Sequence, residues 1–377
     1  MSTKRRSAAS AAARCERRGT AVVVGASLAG LMSALALSRA GIDVTMLERV
    51  TAFPRTGASL GGVTENMLAR LTGRARTHSD TMTHDDVQSW SAIHTRLRSA
   101  ADADPRIRLH HAATVQNVGQ DADAAWVSTA DGRTYRADAV IGADGHRSVV
   151  RRSVAPHHPD ATFAGYMIWI GLADESDIVG RHRWPRSVDI LYRGDDCLIG
   201  YPMAGPTGSL APGARQLGWA WYDAGRNNLL REMGCVVDGV VQHTLRAADV
   251  PETTLSELAD EAASLWPSLW RDVIRDGVER RAVIGTPIAE YVPDRLVNGR
   301  LALVGDAGHV PTPMTASGFG MSLADAEAIA DAVAAGLEGQ PMSQALKDYE
   351  RARLDSVRAS VRSGQQFSRS FAGQAAA

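Results

Sequence analysis

Three glycine-bearing segments, far apart in the chain, constrain its fold more than any other feature. The first, Gly25-Ala26-Ser27-Leu28-Ala29-Gly30, directly follows the apolar run Ala21-Val22-Val23-Val24. The second is Gly142-Ala143-Asp144-Gly145-His146-Arg147-Ser148, after a strand-like run ending at Ile141. The third is Gly305-Asp306-Ala307-Gly308-His309, after Leu301-Ala302-Leu303-Val304 and followed by Pro311, Pro313 and Gly318. In the first segment Gly25 permits a tight turn and Gly30 lets a helix pack close to the strand. The amides between them point at a pyrophosphate on the helix N-terminus. Residues 42–47 read as the second strand of the same βαβ unit. It ends at Glu48, where an acid takes both hydroxyls of a ribose. The alternative for Glu48 is a solvated strand-end charge.

A chain of 377 residues is long enough for two domains. The formal net charge of -1 gives no reason to expect nucleic acid as a partner. Cys15, Cys197 and Cys235 stand at unrelated spacings, so neither a metal site nor a disulfide framework is expected, and the setting reads as cytoplasmic. Residues 1–19 are basic, rich in Ala and Ser and without apolar periodicity, and read as a disordered tail. Residues 21–37 then carry no charge, so tail and run together imitate a signal peptide. Gly25, Ser27 and Gly30 divide that run into a strand, a turn and a helix with Leu28, Leu31, Met32 and Leu35 on one face. This favours a nucleotide-binding opening over a leader, and no membrane association is expected.

Further along, residues 84–100 predict a helix carrying Trp90, Ile93 and Leu97. Residues 106–118, 125–129 and 134–141 are strand-like, with Asp131-Gly132 as a hairpin turn. From residue 163 to 222 the chain alternates and is rich in Trp and Tyr, which predicts an antiparallel sheet. Alternation puts Trp219 and Trp221 on one face and allows Tyr201 on the other. These three are the candidate pocket residues, with core packing as the alternative. One helix is expected over 255–274 with Trp266, Leu269, Trp270 and Ile274 as its apolar side. A strand over 280–288, a helix over 318–337 and a charged amphipathic helix over 343–367 complete the chain.

Together the three glycine segments resemble the single-component FAD-dependent aromatic hydroxylases, the class A flavoprotein monooxygenases with the para-hydroxybenzoate hydroxylase fold. Phe163-Ala164-Gly165-Tyr166, followed by Trp169 and Gly171, is similar to the first substrate-domain strand of the urate- and pyridine-hydroxylating members. The resemblance covers about residues 20–340. It implies a mixed α/β architecture: a Rossmann-like FAD-binding domain of residues 20–160 and 285–340, an inserted antiparallel-sheet substrate domain of residues 161–284, and a C-terminal helix over 341–377. It implies FAD contacts from Gly25, Ser27, Leu28, Ala29, Gly30, Glu48, Arg49 and Asp144, and from Gly305, Asp306, Pro313, Ala316, Ser317 and Gly318. Asp306 would accept a hydrogen bond from the ribityl chain. The helix beginning near Gly318 would aim its positive end at the flavin N1–C2 region. Ser148 and Arg151 extend the second segment to the family pattern D-G-x-x-S-x-x-R.

The activity implied by the resemblance is oxygenation of an aromatic or heteroaromatic small molecule through a flavin C4a-hydroperoxide. NADH or NADPH would be a transient co-substrate and O2 the oxidant, with secondary-metabolite tailoring as one setting. A monomer or homodimer is expected. No residue announces itself as the catalytic base; His182 and His309 are candidates, with plain hydrogen bonding as the alternative. Two other readings stay open: an oxidoreductase of this fold without oxygen insertion, and an inactive flavin-binding accessory protein. Halogenation is disfavoured, because no lysine stands between Lys4 and Lys347 and Trp219-Ala220-Trp221-Tyr222 is not followed by the Ile-Pro that the halogenase pattern needs.

Several positions depart from the family pattern. Ser27 replaces the middle glycine, and Trp90 stands on a helix where many relatives carry an FAD-contacting arginine. Gly308, Ala316 and Gly320 stand where the pattern has Ala, Gly and Asn. If position 316 needs positive φ, even a methyl side chain is strained there. Because these departures cluster, the expectation is a loop rebuilt around alanine.

Overall fold

The valine run becomes the centre of a parallel sheet because it is apolar on both sides, as a strand covered on both faces must be. The computed structural model describes residues 19–51, 59–72, 88–205, 208–337 and 339–374. The expected basic tail and Cys15 lie outside these residues. Along the chain run β1 (Thr20–Val24), α1 (Leu28–Arg39), β2 (Asp43–Leu47), β3 (Ser59–Leu60), α2 (Glu65–Thr72), β4 (Gln88–Ser89), α3 (Trp90–Asp102), β5 (Ile107–His110), β6 (Val115–Gln120), β7 (Ala125–Thr129), β8 (Thr134–Ala137) and β9 (Ala139–Gly142). Then follow α4 (Val149–Val154), β10 (Thr162–Asp174), β11 (Asp189–Arg193), β12 (Asp196–Met203), β13 (Gln216–Asp223), α5 (Asn227–Glu232), β14 (Val236–Val237) and β15 (Val240–Val241). The chain closes with α6 (Glu252–Leu265), α7 (Ser268–Glu279), β16 (Ile284–Glu290), β17 (Val297–Asn298), β18 (Leu301–Leu303), α8 (Gly318–Leu337) and α9 (Met342–Gln374).

The first sheet has the order β17-β18-β9-β1-β2-β5, parallel except for β17. Helices α1, α3, α8 and α9 supply the apolar cluster on one face. The small sheet β6-β7-β8 and α4 cover the other. Strands β1, β9 and β18 all end in a glycine segment, so the three segments emerge side by side from one sheet edge.

The second sheet has the order β11-β12-β13-β10-β15-β14, with β16 also paired to β10. Met167, Trp169, Leu198, Trp219 and Trp221 pack from one face against α6 and α7. Tyr166, Ile168, Cys197, Tyr222 and Ile288 face the other way, toward Met314 and toward Phe367 and Phe371 of α9. Indole N–H groups on the helix side meet carboxylates: Trp169 to Asp223 at 2.9 Å, Trp221 to Asp196 at 2.9 Å and Trp270 to Asp189 at 3.0 Å.

Five expectations need correction. The helix over 255–274 is two helices broken at Trp266-Pro267, because proline disfavours helical backbone at the residue before it; Trp266 has ψ 151°. The strand over 106–118 is two strands, β5 and β6, parted by Ala112 at φ 52°. The helix over 84–100 starts at Trp90, with Gln88 and Ser89 in β4; residues 84–87 lie outside the described set. β16 belongs to the second sheet, so that sheet runs to Glu290 rather than stopping at 284. The last helix also runs on to residue 374, and its added turns carry the Ser368 and Phe371 contacts. Among the described residues no helix is long and apolar enough to cross a membrane.

Candidate cofactor site and the facing sheet

The turn after β1 is set by Gly25, which has φ +100°. A Cβ on Gly25 would lie 2.4 Å from the carbonyl oxygen of Ala143, so the first segment packs directly on the second. Gly305 has φ +55°, and a Cβ there would lie 2.5 Å from Cβ of Ala29. The third segment therefore sits on the first turn of α1. Three segments spread over the chain thus form one cleft.

Ser27 heads α1, yet its hydroxyl makes no capping hydrogen bond, and no acid stands in the first turn. The amide donors and the hydroxyl are left for an anion. Glu48 is only 5% exposed, so it is not a solvated strand-end charge. Its carboxylate accepts from Ala26 N at 2.8 Å and Val50 N at 3.0 Å, tying the turn to the end of β2. Arg49 is exposed beside it. On α3, Trp90 stacks on His94 with centroids 4.8 Å apart, and His94 Nε2 lies 3.0 Å from the carbonyl oxygen of Ala26. Trp90 also packs partly against the core of the first sheet.

Asp144 caps α4. Its carboxylate accepts from the Ser148 hydroxyl at 2.5 Å and from Val149 N at 2.7 Å. Burial nevertheless raises its pKa above the ordinary aspartate value, against those hydrogen bonds. Arg151 is buried and, among the described residues, forms no ion pair with a carboxylate. It donates to the carbonyls of Pro159 (2.6 Å), Ala307 (3.1 Å), Asp306 (3.3 Å) and His146, and its guanidinium lies 4.3 Å from the centre of the Tyr291 ring. It thereby clamps the second segment to the third. Burial, with Arg147, Arg151 and Arg49 nearby, lowers the His146 imidazole to about 4.

Asp306 is exposed inside the cleft, and among the described residues its carboxylate takes no hydrogen bond from the protein. The protein surrounding it desolvates the carboxyl and raises its pKa, while His309 and Arg151 pull the other way. Below it lies a buried charged network. His309 Nε2 is 2.6 Å from Asp325, which also accepts from Gly305 N at 3.0 Å and from Arg353 Nε at 2.8 Å. Burial pushes Asp325 up, but His309, Arg353 and the Gly305 amide outweigh it and hold the carboxyl below its usual value. His309 is therefore committed to positioning this loop. His182 is 3.2 Å from the carbonyl of Val179 and 3.5 Å from Asp272, again a hydrogen-bonded histidine.

The expected rebuilding of the loop is not found. Ala316 has φ 48° and ψ 20°, the left-handed conformation. Its N–H closes the turn on Pro313 O at 3.0 Å, and the chain must then reverse to start α8 at Gly318. The strain is accepted at a cost of about 1–2 kcal/mol. Pro313 and Ala316 are exposed to the cleft, with Ser317 and Gly318 half-buried behind them.

Trp219 and Trp221 also need correction as pocket candidates. They are 0% and 1% exposed and lie on the helix side of the sheet, away from the cleft. The pleat decides this: β13 puts Gly218, Ala220 and Tyr222 on the cleft side. Tyr201 does lie on that side, its ring across Gly218 and near Ser59, but it is 6% exposed. Sequence reasoning missed Asp325 and Arg353. One signal existed: Asp325 interrupts the buried stripe of Met321 and Ile329 at helical spacing. It also missed a buried polar chain in which Tyr166 Oη lies 2.5 Å from Thr312 Oγ1 and Ser368 donates to Glu290.

A model of an FAD-binding domain matches residues 18–68 and 239–363. The chain is 27% identical over 333 residues to the 2,6-dihydroxypyridine 3-monooxygenase of Paenarthrobacter nicotinovorans, covering 82% of this chain and 81% of the relative. It is 24% identical over 369 residues to an FAD-dependent urate hydroxylase of Klebsiella pneumoniae, covering 90% and 86%. Among solved structures, 2,6-dihydroxypyridine-3-hydroxylase from Arthrobacter nicotinovorans superposes with a TM-score of 0.75 at 25% identity, covering 94% of this chain and 93% of that one. Klebsiella pneumoniae HpxO complexed with FAD and uric acid gives a TM-score of 0.66 at 21% identity, covering 94% and 89%. The chain carries an FAD-binding domain and has the fold of the para-hydroxybenzoate hydroxylase-like FAD-dependent monooxygenases.

Proposed function

We propose that this chain is an FAD-dependent monooxygenase that uses NADH or NADPH and O2 to hydroxylate an aromatic or heteroaromatic small molecule. The observation that carries the reading is the convergence of Gly25 on Ala143 and of Gly305 on Ala29, which brings three glycine segments distant in sequence together at one edge of the parallel sheet. The names of the relatives support it. In this reading Ser27 and the amides of residues 28–30 hold the pyrophosphate. Glu48, at the end of β2 beside this turn, takes the ribose hydroxyls. The unpaired carboxylate of Asp306 takes the ribityl chain, the loop from Pro313 to Ser317 lies along the ring, and the N-terminal end of α8 faces the ring edge where negative charge collects on reduction. Arg49 serves the adenosine end from the rim. Asp144 acts through α4, by fixing the second segment, rather than by reaching the cofactor. Bound FAD supplies the electron transfer and oxygen activation; the chain's residues orient it and keep water out.

Acid or heat treatment of the purified protein should release FAD at about one per chain. With a substrate, the product should gain one atom from isotopically labelled O2. Colourless protein that ignores added FAD would end this reading. FAD-loaded protein that oxidises a substrate without incorporating label would favour the oxidoreductase without oxygen insertion.

A further inference from the structure

The register of the second sheet aligns one residue from each of five strands on the cleft side. They are Ile284, Ile170, Ala220, Ile199 and Ile190, each directly opposite the next. Four strand spacings make this row about 19 Å long. Alanine in the middle leaves a dip between two isoleucines. Ile168 and Tyr222 border the row on one side, and Tyr201, lying over Gly218, borders it on the other. The row is not sealed: Ile170, Ala220, Ile199 and Ile284 are only half-buried, and Ile190 is 54% exposed. Met314, in the loop before α8, packs on the same cluster as Ile170, Ile199 and Ala220. The row therefore shares a cluster with the loop before α8 and runs out to the edge strand β11.

Charge is the second observation. Among the described residues, no arginine, lysine or histidine stands on this face of the five strands. At one end Asp174 is bonded to Gln216 at 3.0 Å. At the other, Glu290 accepts from Ser368 and burial raises its pKa, with Arg369 of α9 acting on it electrostatically. Arg280 reaches the carbonyl of Leu172 but is paired with Asp276 at 2.7 Å. A carboxylate seated on the middle of this row would lose its hydration and gain no cation from the strands beneath it.

We propose that the row is the substrate floor, that it selects a neutral, flat and elongated apolar aromatic molecule, and that Ala220 determines the fit of the ring. The aromatic ring sits over Ala220 beside the cofactor loop, and an apolar extension runs toward Ile190. This rests on the monooxygenase reading above. The test uses FAD-loaded holoenzyme with its FAD content measured first. Matched probes, 2-naphthol against 3-hydroxy-2-naphthoate and 4-hexylphenol against 4-hydroxybenzoate, are titrated while the visible flavin spectrum and NAD(P)H oxidation are followed. The neutral member of each pair should bind tighter by about tenfold or more. Ala220→Phe should weaken the neutral probes by a similar factor with FAD content unchanged, and Ala220→Val should shift them less in the same direction. Ala220→Arg should move the preference toward the carboxylates. FAD-loaded wild type that prefers the carboxylates, or that no neutral probe perturbs, overturns the proposal alone. So does neutral-probe affinity indifferent to both Ala220→Phe and Ala220→Val. Protein that takes up no FAD overturns the monooxygenase reading and this proposal with it.

Discussion

The two sides of the cleft are built by opposite means. On the cofactor side, buried charges do the holding: Glu48 ties a turn to a strand, Arg151 clamps four carbonyls, and His309, Asp325 and Arg353 lock the loop after β18. Arg151 and Asp325 each take several partners in fixed directions, and His309 is held by Asp325. On the facing sheet the cleft side is apolar and half-open, and its polar ties lie behind it, where indole N–H groups meet carboxylates on the helix side. A directional network fixes geometry, whereas an apolar face fixes only shape and hydropathy. A cofactor of invariant structure calls for the first, and a substrate floor that differs between enzymes permits the second.

The sharpest way to break this contrast is Arg151→Met. It takes the donor from the buried carbonyl of Ala307 and from the half-buried carbonyls of Pro159 and His146; a buried orphan costs about 1–3 kcal/mol, so a loss of stability of about 2 kcal/mol or more is expected, with FAD retention lost too. Urea denaturation of the apoprotein measures the first and fluorescence titration the second. A variant as stable as wild type would show that the clamp is not what holds the second segment to the third.

Asp306→Ala tests a carboxylate that takes no hydrogen bond from the protein among the described residues. Losing a charge-assisted hydrogen bond should weaken FAD by about 1.5–3 kcal/mol, roughly 10- to 150-fold, with little change in apoprotein stability. Unchanged affinity would move the cofactor away from the third segment.

Ala316→Gly should raise stability by about 1 kcal/mol, because the left-handed position no longer carries a Cβ, less the extra chain entropy of glycine. The loop geometry should be kept, so the ratio of hydrogen peroxide formed to NAD(P)H consumed should not change. A rise in that ratio would mean that the methyl group itself steadies the loop.

The smallest effect is expected at Glu290, a buried acid at one end of the apolar face. Its folded-state pKa is raised, chiefly by burial, so the folded chain holds its proton above the ordinary carboxyl range. The stability this gives is complete below the unfolded value of about 4.3 and is lost as pH rises through the folded value. Wild type should therefore lose stability relative to Glu290→Gln between mildly acidic and neutral pH. Urea midpoints that run parallel over that range would show that Ser368 and its neighbours stabilise the ionised form instead.

Local sequence determined a great deal of this protein. Gly25, Gly30 and Glu48 declared a nucleotide turn because only certain residues tolerate that backbone and that close packing. Residues 318–337 declared their helix by composition alone. Pro267 also carried its own message, a break before it, although the apolar stripe of residues 255–274 hid it. What the sequence could not decide was which face of the second sheet would meet the cofactor. Alternation separates Trp219 from Ala220 but does not name the side that α6 and α7 will cover. Trp219 and Trp221 could therefore be named as pocket candidates only beside core packing, and their burial against α6 and α7 decides for the core, while Ala220 on the other face carried no signal. Ala316 is the same lesson in the backbone: alanine disfavours the left-handed region, yet the turn closed on Pro313 and the start of α8 impose it. Asp325 and Arg353 met only through the packing of α8 against α9. Turn and helix signals are local and additive, so they can be read in order along the chain. The choice of covered face, the strained residue and the buried ion pair depend on partners distant in sequence, and exist only once those partners are in place.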